Sequence, residues 1–212
     1  MKFFVSILLA LLAGCSSLPY QKETASPSET EAANSAAPDI PYQVVENLVG
    51  GAANPALIIY LHSNSGSGTD GKKQMSQVSA QNIEKYIKGN NIPAYFLKEK
   101  NIDKSRIYIC GTSMGAMGAW RMLREYPGFF TAAIVSSGQA QFATPSLYTY
   151  LPLYVTAGTE ERSYEALKSF SQQIKEAGGT VLFDELEGMT HGRACDNSCS
   201  EERLKWLFSQ KK

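Results

Sequence analysis

The sequence predicts an α/β fold, a mostly parallel sheet flanked by helices. Three observations carry that prediction. Apolar runs of strand length recur along the chain, helical segments fall between them, and most runs end in a turn rich in glycine and polar residues. The runs are continuous rather than alternating, which is the pattern of strands buried on both faces, as in parallel sheets.

The elements follow in order. Residues 56–61 (ALIIYL) are the first strand, 106–110 (RIYIC) the second, 132–136 (AAIVS) the third and 153–157 (LYVTA) the fourth. Residues 180–186 (TVLFDEL) alternate more and are expected at an edge. Helices are expected over about 74–88, 114–126, 161–177 (ended by Gly178-Gly179) and 200–210. The chain shows no internal repeat. Four of the strands run into turns with chemically useful residues: His62-Ser63-Asn64-Ser65-Gly66, Gly111-Thr112-Ser113-Met114-Gly115, Gly158-Thr159-Glu160-Glu161 and Gly188-Met189-Thr190-His191-Gly192. Ligands of open α/β sheets bind outside the carboxyl ends of the strands, so these residues are expected to gather at one rim.

The amino-terminal segment reads differently. Lys2 precedes a short apolar stretch, residues 3–12, which is too short to span a bilayer and has the form of a secretory signal. It ends in Leu12-Ala13-Gly14-Cys15, which resembles the lipobox of bacterial lipoproteins. That resemblance implies a signal peptide over 1–14, lipid on Cys15, and a mature protein anchored outside the cytoplasm in the bacterial cell envelope. An ordinary signal peptide is the competing reading. Residues 15–41 are expected to be a disordered tether, since they are rich in Ser, Ala, Glu, Thr and Pro and lack an apolar run. Some 25 such residues reach roughly 25–30 Å. Residues 42–212 are then the folded domain. The whole chain is 43% apolar, and its length is enough for one domain with a sizeable core. Lys plus Arg equals Asp plus Glu, at 20 each, and no basic stripe points to nucleic acid.

The Gly111-Thr112-Ser113-Met114-Gly115 turn sits between an apolar strand and a helical segment. A serine in such a turn stands on a sharp bend with its hydroxyl projecting from the sheet end. Ser113 is therefore the candidate nucleophile. A serine hydroxyl needs a base, and the chain has two histidines, His62 and His191. Cys110 reads as a small buried apolar residue. Cys195 and Cys199 lie close together after His191, and in an oxidising compartment a disulfide between them is expected. A metal site of His191, Cys195, Cys199 and Asp196 is the rival reading, although the spacing matches no zinc signature. The main reading holds no metal and no cofactor.

Residues 101–115 (NIDKSRIYICGTSMG), continued by 124–130 (REYPGFF), resemble a signature of the α/β-hydrolase superfamily. The likeness is to its compact secreted esterases and depolymerases: feruloyl esterase, acetylxylan esterase, polyhydroxybutyrate depolymerase and phospholipase/carboxylesterase-like proteins. It covers roughly residues 56–210. It implies a compact α/β-hydrolase fold, trimmed after residue 97, because residues 92–97 (IPAYFL) supply a strand but no room remains for the helix that normally follows.

The resemblance also implies roles. The family order along the chain is serine, acid, histidine, so His191 becomes the base and His62 a support for its loop. The family acid lies about three residues after a strand-ending glycine, here Gly158, which points to Glu161 with Glu160 as the alternative. Asp184, Glu185 and Glu187 read as solvated. Oxyanion donors are expected from the backbone of Met114 and of the loop near Ser63 or Asn64. Phe142, Tyr148 and Tyr150 are candidates for an acyl or aryl pocket or for the core, and no insertion is long enough for a lid. The resulting expectation is a serine esterase working through an acyl-serine on an ester substrate, polymeric or aryl substrates included. A prolyl-oligopeptidase-like peptidase and an inactive substrate-binding lipoprotein are the alternatives.

Overall fold

The structure is a computed structural model that describes residues 7–8, 55–67, 72–90, 102–141 and 143–212. The strands are β1 (Ile7–Leu8), β2 (Leu57–Leu61), β3 (Ile107–Thr112), β4 (Ala132–Ser136), β5 (Leu153–Gly158) and β6 (Val181–Leu186). They form one sheet in the order β1-β2-β3-β4-β5-β6, and every pairing is parallel. The helices are α1 (Lys72–Met75), α2 (Val78–Gly89), α3 (Met114–Glu125), α4 (Tyr164–Glu176), α5 (His191–Asn197) and α6 (Glu201–Ser209).

Alternate residues of the strands fill two cores, one on each sheet face, because successive side chains on a strand point to opposite sides. Leu57, Ile59, Ile109, Val135 and Val155 pack with Trp120 and Leu123 of α3 and Leu167 and Ile174 of α4. Ile58, Tyr60, Tyr108, Cys110 and Ile134 pack with Ile83 and Ile87 of α2 and Leu204 and Leu207 of α6. This three-layer burial explains the continuous apolar runs. β6 is the exception expected of an edge: its interior positions are partly or fully exposed, and Leu182 is 45% exposed.

Two expectations are revised. The helix read over 74–88 is broken at Ser76-Gln77 into α1 and α2. The stretch after Thr190, which lies outside the expected helices, is the short helix α5. Of the aromatics left open between pocket and core, Tyr148 belongs to the core, whereas Tyr150 lies at the surface, 38% exposed. Tyr148 stacks edge-on with Trp120 at 4.9 Å and is 1% exposed, and the Tyr150 hydroxyl donates to the Leu123 carbonyl at 2.6 Å. Phe142 and the strand read over 92–97, with the trimming inferred there, lie outside the described residues.

Ile7 and Leu8 fall within the segment read as a leader, and they pair with Ile58 and Ile59 at the sheet edge.

Candidate active site

The Ser113 turn is built from the close approach of three backbone segments. Ser113 has φ 54° and ψ −117°, outside the comfortable region for an L-residue, at a cost of order 1–3 kcal/mol. The bend holds because neighbouring strands clamp it: the Ser113 N–H donates to the Ser136 carbonyl at 2.9 Å. The flanking glycines are required by space. A Cβ on Gly111 would lie 2.4 Å from the Gly115 carbonyl oxygen, and one on Gly115 would lie 2.0 Å from that of Leu61.

His191 arrives from the other end of the chain as the first residue of α5, directly after Thr190. Its Nε2 is 2.8 Å from Ser113 Oγ. Its Nδ1 is 2.7 Å from Glu161 Oε2, so Nδ1 carries the proton and Nε2 is left to accept one from the serine. The imidazole is half exposed, whereas the Glu161 side chain is 1% exposed.

The acid is placed by a tight turn at the end of β5. The Glu161 N–H donates to the Gly158 carbonyl at 3.1 Å, and the Gly158 N–H donates back to Glu161 Oε1 at 3.1 Å. Both carboxylate oxygens are thereby engaged, as a buried charge requires. A Cβ on Gly158 would lie 2.1 Å from the Met189 carbonyl oxygen, so this glycine lets the acid turn and the histidine loop touch. Glu160 is exposed, and it contributes only its backbone N–H, to Met189. Of the two glutamates left open by the sequence, the structure brings Glu161 to the histidine.

The loop after β2 faces Ser113 across a cleft of about 530 Å³, lined by Ser63, Asn64, Ser65, Gln77, Thr112 and Cys195 along with Ser113 and His191. A second cleft, of about 460 Å³, is lined by His191 with Gln139, Arg162 and Ser163. Met114 and Asn64 are each the first residue of a helical segment, where the backbone N–H has no partner within the helix. The Ser63 N–H is already committed, to Gln77 Oε1 at 3.1 Å. His62 is buried and donates from Nδ1 to the Ser63 carbonyl at 2.7 Å, while its Nε2 has no partner among the described residues. Gln77 is the residue that the sequence reading missed. The sequence places it inside the helix expected over 74–88, with no local signal to set it apart.

The cysteine pairing read from the sequence is corrected. Cys110, Cys195 and Cys199 are free thiols. Cys195 lies on α5, which ends at Asn197, whereas Cys199 lies in the turn beyond it. Cys195 points into the cleft, with Sγ 3.9 Å from His191 Nε2, and burial pushes its thiol up to about 12. Cys199 is buried on the opposite side and faces Cys110, close enough for each thiol to perturb the other. For the same reason His191, Cys195, Cys199 and Asp196 do not converge, and no group of three metal-ligating side chains is found among the described residues.

Comparison with known proteins bears on the fold. No family model matches the chain, and no curated protein matches it. Solved structures do. A thermostable esterase superposes with a TM-score of 0.65 at 23% identity, over 79% of this chain and 58% of that one. Est1E from Butyrivibrio proteoclasticus gives 0.59 at 12% identity, over 77% and 91%. The S-formylglutathione hydrolase FrmB from Staphylococcus aureus gives 0.57 at 14% identity, over 74% and 83%. The chain has an α/β-hydrolase fold.

Proposed function

We propose that this protein is a serine hydrolase that cleaves carboxylic esters through an acyl-serine intermediate. The observation that carries the reading is the unbroken line Ser113 Oγ, His191 Nε2, His191 Nδ1, Glu161 Oε2, with both contacts under 3 Å. Ser113 Oγ attacks the acyl carbonyl while His191 Nε2 takes its proton. Buried Glu161 stabilises the imidazolium that forms and holds the ring in the tautomer needed. The N–H groups of Met114 and Asn64 receive the oxyanion. The intermediate collapses as His191 returns the proton to the departing alcohol, and a water molecule deacylates Ser113 by the same steps. The likeness to proteins known as esterases and as a hydrolase supports this chemistry. The half-exposed imidazole supports an open site that admits bulky or polymeric esters.

Ser113→Ala is expected to lower turnover of a p-nitrophenyl ester by about 10⁴–10⁶ with the melting temperature little changed. A matching peptide substrate separates this reading from a peptidase, a reaction named for another fold neighbour, the Pyrococcus horikoshii acylaminoacyl peptidase (TM-score 0.51, 14% identity).

The tetrad ending in Cys15 supports a lipid-anchored, extracytoplasmic protein on a disordered tether. Cys15→Ala is expected to move the expressed protein from the detergent phase to the aqueous phase. Equal partitioning of the two forms would count against the anchor.

A further inference from the structure

We propose that Gln77 is a positioning residue for the oxyanion site: it fixes the loop of Ser63, Asn64 and Ser65 so that the Asn64 N–H is the donor presented to the reacting carbonyl. The inference rests on the hydrolase reading above and adds a residue that takes no part in the proton relay.

Gln77 stands just before α2, in extended conformation, at the break between α1 and α2. That break turns its side chain toward the loop rather than along a helix. Its amide makes four hydrogen bonds. Oε1 accepts from the Ser63 N–H at 3.1 Å and from the Tyr60 hydroxyl at 3.0 Å. Nε2 donates to Ser63 Oγ at 2.5 Å and to Ser65 Oγ at 3.0 Å. The orientation of the amide is dictated, because a backbone N–H can only donate and so must face the oxygen. Ser63 and Ser65 are linked in turn, Oγ to Oγ, at 2.8 Å.

The far end of this network is rigid. Tyr60 is fully buried on β2, and its hydroxyl also meets Ser79 Oγ of α2 at 2.5 Å. The loop is therefore tied through Gln77 to the sheet and to α2 at once. Gly66 completes the fit: a Cβ there would lie 2.9 Å from Gln77 Cδ, so the loop backbone lies directly against the amide.

Two consequences bear on catalysis. The Ser63 N–H is consumed by Gln77, which leaves the Asn64 N–H, at the start of the helical turn, as the donor from this loop. A loop held in advance needs no reorganisation when charge develops on the substrate, which is where such donors have their effect. Gln77 should therefore act on the transition state more than on the bound ester.

The test is steady-state kinetics on the full chain with Gln77→Leu, which keeps the approximate volume and removes all four bonds, together with binding of a boronic acid that forms a tetrahedral adduct on Ser113. Losing one oxyanion donor typically costs about 10²–10³ in kcat, so mispositioning one is expected to cost about 10–100-fold. KM should stay within about threefold, and boronate affinity should fall in step with kcat. Gly66→Ala, which forces the amide away from the loop side, should give the same pattern and guards against a folding defect in the first variant. Unchanged kcat in both variants, or a rise in KM alone, overturns the proposal. The two claims separate cleanly. Turnover abolished by Ser113→Ala but intact in Gln77→Leu removes the positioning role alone. Turnover that survives Ser113→Ala removes the hydrolase reading and this role with it.

Discussion

Two adjacent glutamates, identical in chemistry, end in opposite environments one residue apart. Glu161 has its carboxylate buried between the Gly158 N–H and His191 Nδ1, while Glu160 is exposed. Glu161→Gln is expected to lower kcat by about 10²–10⁴, because an amide can present a donor to Nδ1 and favour the wrong tautomer. Glu160→Gln should leave kcat within about twofold. Equal losses in the two variants would contradict the assignment, and pre-steady-state ester hydrolysis resolves the difference. The sequence narrowed the acid to these two, since both follow a strand-ending glycine. It could not choose between them, because the choice is made by a back-bond from the glycine N–H to the Glu161 carboxylate and by the packing of the Met189 backbone against Gly158, where a side chain would not fit. The cysteines show the opposite failure. Proximity along the chain suggested a pair, but Cys195 lies on α5 at the cleft, while Cys199, in the turn after that helix ends, lies against Cys110 on a distant strand.

At the scale of elements, the strands were legible because burial on both faces leaves an uninterrupted apolar run, and the edge position of β6 was legible from its alternation. Helix α5 was not, because seven residues with one buried side chain carry no amphipathic period. The segment before β3 shows what its motif does structurally. Asp103 accepts from the Ser105 hydroxyl at 2.5 Å and N–H at 2.9 Å and from Arg106 Nε at 2.7 Å, and it ties the turn that launches the nucleophile strand. The Ser105 hydroxyl first, and the Arg106 guanidinium next, hold its carboxyl down to about 2. A depressed carboxyl contributes stability that is complete above the ordinary carboxylate range, near pH 4, and is lost as pH falls toward 2. Asp103→Asn should therefore lower the melting temperature at pH 7 and show a flatter decline between about pH 4 and pH 2 than the wild type. Parallel melting curves across that window would contradict this account.

Over the whole molecule, parallel topology does the assembling. Every strand from β2 to β6 points its carboxyl end the same way, so the Ser113, Glu161 and His191 turns, after β3, β5 and β6, meet at one rim although Ser113 and His191 are 78 residues apart. The turns could be found in the sequence because each carries its own local signature, and their convergence followed from the topology rather than from any contact visible in sequence. What sequence could not supply was the support behind the rim, Gln77 and Tyr60 above all, since a lone glutamine within an expected helix has no distinguishing pattern.

The central claim is that the line from Glu161 through His191 turns the Ser113 hydroxyl into a nucleophile. Incubation of the folded protein with a fluorophosphonate, followed by peptide mapping by mass spectrometry, tests it most directly. The account predicts one stoichiometric adduct on Ser113, absent from Ser113→Ala and formed far more slowly in His191→Ala. An adduct on a different residue, or none on the folded wild-type chain, would contradict it.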